Sequence, residues 1–418
     1  MPPQKPFKVL IVGAGVTGLT LAHCLTKANI AFVLLDKGVI APAFGNTITV
    51  FPHGIRIMHQ LDCLNAVINQ CAPMGASNCR WRDGNVFAAC EKYFGVMKAL
   101  TGYDARTIGR QEFLRLLPLE EKQSIRTAFS AMIGLSTPVP VLERCEAVIN
   151  ASHNKISFLI ICQPKWVSWQ VFIRLPKHQE CSLPDGKKST EEDMQALVDK
   201  IADYPITAAA NFRQLWKGRL RAQMISLEEG VLEHWLFGRA VMAGDALHKV
   251  TLNSGLGAST AMEDAVSIAN AIHQLTATRP NRKPTDDEIH DVLQQYQDTH
   301  IGRVKKIPMV GREMTRKQAY DGWWNYFRYR WLLPVIGMRY IAQVTAKLCV
   351  CAPKLTYVEF DEQNGLLSWR DMRLGGRGSK NSEVGKSRSM WHSTHYIKLL
   401  GWVITIFIAW YLAVIAKK

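Results

Sequence analysis

Short apolar runs and a helical apolar repeat alternate at the start of the chain. Val9–Val12 is an uninterrupted apolar run of strand length, and Phe32–Leu35 is a second one. Runs of this kind are typical of parallel strands that are covered on both faces. Between them, the spacing of Leu19, Leu21 and Leu25 predicts the buried side of a helix. This part of the chain therefore predicts a strand, a helix and a second strand of an α/β fold.

A glycine-rich turn joins the first strand to the helix. Gly13 permits a tight turn, Gly15 lets the backbone approach a pyrophosphate, and Gly18 lets the helix pack closely on the strand. The helix N-terminus would stabilise the phosphate charge. Asp36 follows the second strand, where a carboxylate accepts hydrogen bonds from an adenosine ribose. The pattern predicts a dinucleotide site that disfavours NADP, because the carboxylate would meet its 2′-phosphate, and leaves FAD and NAD open.

The middle of the chain changes to a β pattern. Ile156–Cys162 and Trp166–Leu175 are rich in β-branched and aromatic residues, with a polar turn between them. A hairpin turn is predicted earlier, at Asp83-Gly84, and an amphipathic helix later, over Ser189–Ala202. We therefore expect an antiparallel sheet in this part of the chain.

A second glycine-rich stretch lies far along the sequence. Ala240–Gly244 predicts a short apolar strand, Asp245 follows it, and Ala258 lies at the start of a helix after another glycine turn. A strand, an acid, a glycine turn and a helix N-terminus suit a phosphate-bearing or electron-rich group. An ordinary strand–helix connection explains this stretch about as well when it is taken alone. Because a dinucleotide turn lies upstream, we interpret the stretch as the second part of a cofactor site.

Aromatic and apolar residues dominate the end of the sequence. The cluster around Trp323 and Trp324 predicts a cap packed on the domain or a belt at a membrane interface, in preference to the wall of a substrate site. Trp331–Val350 is apolar but carries cations, so we expect it on a protein or membrane surface. Leu399–Ala416 holds no charged residue and is long enough to cross a bilayer as a helix. We prefer a transmembrane anchor there to a buried core helix.

Composition narrows the classes of protein. The chain has 418 residues, which gives room for two or three domains, and a net charge of +16. Its basic residues are dispersed and no nucleic-acid motif accompanies them, so we expect no nucleic-acid partner and attribute the charge to attraction to an anionic membrane. The cysteines lack paired spacing, and no metal site is predicted. No secretory signal precedes the first strand, which predicts a cytosolic catalytic domain.

Taken together, these motifs resemble the FAD-dependent monooxygenases of the p-hydroxybenzoate hydroxylase fold. The chain is most similar to the fungal epoxidases of indole-diterpene and meroterpenoid pathways, and the resemblance covers residues 7–275 with gaps. It is carried by residues 11–25, Arg110-Gln111, Leu215-Trp216-Lys217, residues 238–251, residues 255–258 and Glu263-Asp264-Ala265.

The resemblance implies a role for four site residues in FAD binding. Asp36 would hold the adenosine ribose, Arg110 the region between the ribityl chain and the pyrophosphate, Asp245 the ribityl chain, and Ala258 the edge of the flavin. The implied reaction uses NADPH and O₂ to epoxidise an alkene of a lipophilic, prenylated intermediate. The resemblance assigns no catalytic residue.

The resemblance also implies an architecture and a location. We expect an α/β fold with a Rossmann-like FAD-binding domain, an antiparallel-sheet substrate domain and a C-terminal transmembrane helix. A single-pass anchor would hold the enzyme at a membrane, with the endoplasmic reticulum expected, beside neighbouring biosynthetic enzymes. The predicted parts are residues 1–140 and 236–350 for the FAD domain and its helical cap, 141–235 for the substrate sheet, 351–398 for a basic linker and 399–416 for the anchor.

The first domain departs from the family pattern. The family's middle Asp-Gly motif is missing, and too few residues separate Arg110 from Val139 for the expected strands and helix. We expect several dozen residues to be absent, either through coding sequence lost from the gene model or because the chain is a degenerate homologue. Two alternatives to the epoxidase therefore stay open, a non-catalytic pathway scaffold and a membrane NAD-dependent dehydrogenase.

Overall fold

The computed structural model describes residues 7–36, 47–81, 83–110, 113, 127–142, 146–151, 156–175, 190–278 and 282–370. The chain divides into two units, Met1–Gly375 and Gly376–Lys418, and the described residues all belong to the first. The predicted anchor at Leu399–Ala416 lies outside the described residues. Within them, no helix combines the length and the apolar character that a bilayer crossing requires.

The described strands are β1 (Val9–Val12), β2 (Phe32–Leu35), β3 (Thr47–Val50), β4 (Ser77–Arg80), β5 (Val86–Cys90), β6 (Arg106–Gly109), β7 (Thr127–Ser136), β8 (Ala147–Ala151), β9 (Ile156–Cys162), β10 (Val167–Arg174), β11 (Arg219–Glu228), β12 (Gly230–Val231), β13 (Leu236–Phe237), β14 (Ala240–Val241) and β15 (His248–Lys249).

The described α-helices are α1 (Val16–Lys27), α2 (Pro52–Gln60), α3 (Leu64–Gln70), α4 (Tyr93–Thr101), α5 (Glu191–Ile201), α6 (Phe212–Lys217), α7 (Gly257–Ala277), α8 (Asp286–Val304), α9 (Lys306–Gln318), α10 (Trp323–Phe327), α11 (Leu333–Ile336) and α12 (Met338–Cys349). A π-helical turn, Arg328–Leu332, joins α10 to α11.

The first parallel pair has the predicted order but not the predicted cover. β1 and β2 pair in parallel, with Val9 opposite Phe32, and α1 packs through Leu19 and Leu25 in one core with α7. However, Leu10 and Val12 are 60% and 78% exposed. The prediction that β1 is covered on both faces is wrong. Successive side chains of a strand point to opposite faces of the sheet. Among the described residues, this two-stranded sheet is packed on the face of Val9 and Ile11, so Leu10 and Val12 on the other face stay exposed.

A seven-stranded sheet forms the second layer. Its order is β11-β7-β10-β9-β8-β4-β5, and every pair is antiparallel except β4 with β8. The sheet is therefore mixed, which corrects the antiparallel prediction, although the strands predicted at Ile156–Cys162 and Trp166–Leu175 are present to within a residue at each end. The predicted turn at Asp83-Gly84 joins β4 to β5, and Gly84 has a φ of 83° that favours glycine.

The two faces of this sheet pack against different partners. Trp169 and Val171 of β10 face a core with α5 and α6, where Phe212 contacts the ring of Trp169. Thr190 and Asp193 form a capping box at the start of α5, close to the predicted helix start. The other face, which includes Leu159, turns toward the helices of the C-terminal half and builds one wall of a cavity.

Residues 351–370 return to the nucleotide domain instead of forming part of a linker. Gln60 is 1% exposed; its Nε2 donates to the carbonyl of Leu355 at 3.0 Å and its Oε1 accepts from the Leu355 N–H at 2.8 Å. The Tyr357 hydroxyl donates to the carbonyl of Cys24 at 2.8 Å. These bonds satisfy polar groups that burial would otherwise leave unpaired. The part of the predicted basic linker that precedes residue 371 is thus packed against the domain.

Candidate functional site

One cavity of about 1410 Å³ contains both predicted cofactor turns. Drug-sized ligands occupy pockets of about 300–1,000 Å³, so this cavity has room for a dinucleotide and a further molecule. Six of the seven predicted site residues line it: Gly13, Gly15, Gly18, Arg110, Asp245 and Ala258. Arg110 reaches it because the residue directly follows β6.

The first turn has the geometry of a phosphate cradle. Gly13 has a φ of 93°, and its N–H donates to the carbonyl of Leu35 at 2.8 Å. A Cβ on Gly18 would lie 2.0 Å from the Gly13 carbonyl oxygen, whereas a Cβ on Gly15 would meet no atom within 4 Å. Gly18 is therefore required for packing, and Gly15 leaves open space at the N-terminus of α1. Open space and the positive end of a helix, whose first N–H groups have no partner within the helix, fit a pyrophosphate.

Asp36 braces the first turn. Its Oδ2 accepts a hydrogen bond from the backbone N–H of Ala14 at 3.0 Å. This bond places the carboxylate beside the glycine turn, at the end of β2. Its contact with an adenosine ribose stays a prediction.

The second turn is built differently from the predicted strand. Only Ala240–Val241 is a strand, and it pairs with Leu236–Phe237 in a hairpin. The strand predicted over Ala240–Gly244 is thus confirmed at its first two residues only, and Gly244, with a φ of 60°, begins a 3₁₀ turn that carries Asp245. A Cβ on Gly244 would lie 1.9 Å from Thr17 Oγ1 of α1. The two glycine turns are therefore in direct contact.

Asp264 of α7 holds the second turn from beneath. Its Oδ2 accepts hydrogen bonds from the Gly244 N–H at 2.6 Å and from His248 Nε2 at 2.8 Å, and its Oδ1 lies 2.9 Å from His300 Nε2. The side chains of Asp264, His248 and His300 are all 1% exposed or less. Burial raises the pKa of Asp264, but the charge and hydrogen bonds of the two histidines have a larger, opposite effect. The net result is a lowered pKa, so the group stays a carboxylate.

The same contacts act in the opposite sense on His248. Burial lowers its pKa, but the charge and hydrogen bond of Asp264 outweigh this effect and raise the pKa above its ordinary value. The resemblance included Asp264 only as part of the motif Glu263-Asp264-Ala265. Its partners lie 16, 20 and 36 positions away, so no local signal could identify the network.

A second buried acid anchors the same helix. Glu263 is fully buried, and its Oε1 accepts from Arg303 Nη2 at 2.7 Å. Burial raises the pKa of Glu263, but the charge of Arg303 lowers it more. Arg303 Nη1 also donates to the carbonyl of Leu348 at 3.0 Å. This pair ties α7 to α8 and to the end of α12.

An apolar chamber extends the cavity away from the two turns. One wall is a row of paired residues that crosses five neighbouring strands of the sheet, in the order Gln223, Ile133, Gln170, Leu159 and Ile149. The facing wall includes Met314 of α9 and Met338 and Ile341 of α12. The sequence pattern of Trp331–Val350 predicts a position on a protein or membrane surface and does not reveal the face of α12 that lines the cavity. The helical spacing of the apolar residues Met338 and Ile341 was the signal for it.

Two family models match the chain at these turns. An NAD(P)-binding Rossmann-like domain matches residues 11–71, which include the first turn. An FAD binding domain matches residues 118–283, which include Asp245, Ala258 and the Asp264 network.

Curated relatives are fungal enzymes. The FAD-dependent monooxygenase DEP2 of Fusarium langsethiae is 45% identical, over 89% of this chain and 84% of the relative. The FAD-dependent monooxygenase ctvC of Aspergillus terreus is 28% identical, over 79% and 83%. The DEP2 alignment extends over 439 positions, whereas this chain has 418 residues and only 89% of them are aligned. That relative therefore has several dozen residues at positions where this chain has none.

The fold is shared with bacterial flavoproteins. Klebsiella pneumoniae HpxO, solved in complex with FAD and uric acid, superposes with a TM-score of 0.67 and 15% sequence identity, over 83% of this chain and 97% of that one. At this identity the likeness shows the fold alone. The DEP2 proteins, at 45% and 42% identity over most of both chains, show more. The chain belongs to the fungal FAD-dependent monooxygenases.

Proposed function

We propose that this monooxygenase uses NADPH and O₂ to epoxidise an alkene of a lipophilic, prenylated intermediate of secondary metabolism, and that it works at a membrane surface. One observation carries the proposal. The cavity that contains both cofactor turns continues into a chamber walled by Ile133, Leu159 and Ile149 on one side and by Met338 and Ile341 on the other.

The residues of the two turns fit FAD. The N–H groups at the N-terminus of α1, beside the open space at Gly15, would hold its pyrophosphate, Asp245 its ribityl chain, and the helix start at Ala258 the edge of its ring system. FAD supplies, when bound, the transfer of electrons from NADPH and the activation of O₂. The apolar chamber would exclude water and orient the alkene. An alkene has no charge or acidic proton, so an apolar wall is suited to bind it.

The outer surface of the C-terminal helices supports contact with a membrane. Trp323, Trp324 and Trp331 are 69%, 56% and 53% exposed, and the rings of the first two stack. Tryptophan is enriched where membranes meet water. No Asp or Glu occurs between Gly322 and Val358, whereas this segment contains five cations, Arg328, Arg330, Arg339, Lys347 and Lys354. Such a surface attracts anionic lipid. Since α12 also lines the cavity, a lipophilic substrate could enter from the bilayer.

Purification of the full chain tests the enzymatic part of the proposal. We expect a yellow protein whose NADPH oxidation accelerates when farnesol is added, with an oxygen atom from ¹⁸O₂ incorporated into an epoxide. Asp245→Ala should lower flavin content, and the matched exposed variant Asp203→Ala should not, because Asp203 pairs with Arg213 at the surface. A colourless protein that FAD does not reconstitute would contradict the proposal.

The uncovered face of the first sheet favours a second candidate. Leu10 and Val12 are exposed, and the DEP2 relative has several dozen residues that this chain lacks. A chain that had lost part of its cofactor domain would act as a non-catalytic scaffold beside other pathway enzymes. If deletion of the gene stopped metabolite formation and the Asp245→Ala variant restored it, the scaffold would be supported. Membership of the FAD-dependent monooxygenases sets aside the NAD-dependent dehydrogenase.

A further inference from the structure

Gln170 lies at the centre of the apolar sheet wall. It belongs to β10, which pairs with β7 on one side and β9 on the other. Side chains alternate between the faces of a strand, and Trp169 and Val171 belong to the core with α5 and α6. Gln170 therefore points to the opposite face, where it lines the cavity.

The Gln170 side chain is buried without a protein partner for its oxygen. The residue is 6% exposed, and its Oε1 accepts no hydrogen bond from any described residue. Buried polar groups in folded proteins nearly always have a partner, because an unpaired one loses its interaction with water and gains nothing in return. Because Gln170 lines the cavity, a molecule bound there is in a position to supply the missing donor once the amide turns toward it.

The residues around Gln170 indicate the chemical character of a molecule bound in the cavity. Its directly paired neighbours are Ile133 on β7 and Leu159 on β9, and both line the same cavity. Adjacent strands lie about 4.8 Å apart, so a hydrocarbon chain covering these two side chains would pass directly over the glutamine amide. In this wall Gln170 thus lies between two hydrophobic residues, whereas Gln223 lies at the end of the row, on β11.

We propose that Gln170 selects the substrate by accepting a hydrogen bond from it, and that the substrate is a lipophilic alkene carrying a hydroxyl group. This inference rests on the proposed epoxidase function and names its substrate class. Gln170 acts here as a specificity residue and takes no part in the oxygen transfer. A ligand without a donor would leave Oε1 unpaired, which is how a binding site discriminates against an analogue that lacks a hydroxyl.

The two probes for the test are farnesol and farnesyl methyl ether, which differ in one hydroxyl donor. The variant is Gln170→Met, which removes the amide and keeps an unbranched side chain. The control is Gln163→Met, the same change at a glutamine that is 4% exposed at the end of β9 and is not part of the cavity wall, with its Nε2 directed to Met74. The full chain is used with FAD, and kcat/KM is measured for epoxide formation from each probe.

We expect the wild type to prefer farnesol by about tenfold, the size of effect that follows from one unpaired buried acceptor. Gln170→Met should bring the ratio of the two kcat/KM values close to one, while Gln163→Met keeps the wild-type preference. Thermal unfolding adds a second readout. Removing an unsatisfied polar group should leave the Tm of Gln170→Met equal or higher, whereas a purely structural glutamine would lower it.

The outcomes separate this inference from the function on which it rests. If the wild type epoxidises both probes equally, or if Gln170→Met keeps the preference for the alcohol, Gln170 does not select a hydroxyl and the inference is wrong. A Gln170→Met protein with a strongly lowered Tm would assign the amide a structural role and overturn the inference as well. If the wild type binds no FAD or epoxidises neither probe, the proposed function fails first and the inference with it.

Discussion

Replacing Asp264 with asparagine tests the buried network beneath the second cofactor turn. The carboxylate accepts bonds from the Gly244 N–H and His248 through one oxygen and contacts His300 through the other. The asparagine side chain would offer one acceptor oxygen and one NH₂ group. If the NH₂ group takes the position of Oδ1, it faces His300, and if it takes the position of Oδ2, it faces both the Gly244 N–H and His248.

The expected effect is large because every group involved is buried. Removing one partner from a buried ion pair costs about 3–5 kcal/mol, and asparagine retains part of the hydrogen bonding, so we expect Asp264→Asn to lower the free energy of unfolding by about 3 kcal/mol. Since the Gly244 N–H fixes the turn that carries Asp245, the affinity for FAD should fall by about tenfold through loss of this bond.

The pH dependence follows from the direction of the two pKa shifts. The folded-state pKa of Asp264 is lowered, so its contribution to stability is present above the ordinary Asp pKa and is lost as pH falls through the folded value. The folded-state pKa of His248 is raised, so its contribution is complete below the ordinary His pKa, and it is lost as pH rises through the folded value. Asp264→Asn should therefore flatten the stability profile on both sides of its maximum.

Urea unfolding at several pH values, with FAD affinity measured on the same samples, provides the assay. The control is Asp203→Asn, which changes a carboxylate that is 76% exposed and paired with Arg213. Surface pairs of this kind contribute about 0–1 kcal/mol, so the control should stay close to the wild type. If Asp264→Asn were as stable as this control and bound FAD with wild-type affinity, the network would not support the turn.

Three further predictions concern the first turn and the exposed surfaces. Gly15→Ala should leave the stability of the FAD-free chain nearly unchanged and weaken FAD binding, because its Cβ would occupy only the open space of the cradle. Gly18→Ala should lower the stability itself, because its Cβ would lie 2.0 Å from the Gly13 carbonyl oxygen. Unfolding and FAD titration of both variants separate these effects. Trp323→Ser combined with Trp324→Ser should weaken binding to phosphatidylserine-containing vesicles in a flotation assay, and unchanged flotation would argue against the aromatic surface. Val12→Thr should change the free energy of unfolding by no more than about 0.5 kcal/mol, since the side chain is 78% exposed. A decrease as large as that expected for a buried core residue would show that β1 is covered after all.

Local features of the cofactor site were predictable from sequence. The Gly13–Gly18 turn and its flanking strands follow from short-range rules: an apolar run, glycines at fixed spacing and an acid at the end of the second strand. The second turn was harder, because a two-residue hairpin and a positive φ at Gly244 replaced the expected strand. The apolar sequence of Ala240–Gly244 suits a strand as well as a turn. Only the tertiary contact of Gly244 with Thr17 decides between the two.

Long-range contacts account for what sequence could not predict. Residues 351–370 resembled a polar linker, yet Gln60 and Leu355, 295 positions apart, form paired hydrogen bonds in the core. Similarly, Gln170 occurs in a strand pattern that gives no sign of its importance. Its position in the cavity wall depends on the pairing of β10 with both neighbours, which the sequence does not specify.

The most direct test of the central claim is a crystal structure of the full chain with FAD. We predict one FAD per chain, with its pyrophosphate at the Gly13–Gly18 turn, its ribityl chain beside Asp245 and its ring system against Ala258, facing the apolar wall that contains Gln170. A cofactor bound outside this cavity, or density that contacts one turn and not the other, would contradict the account.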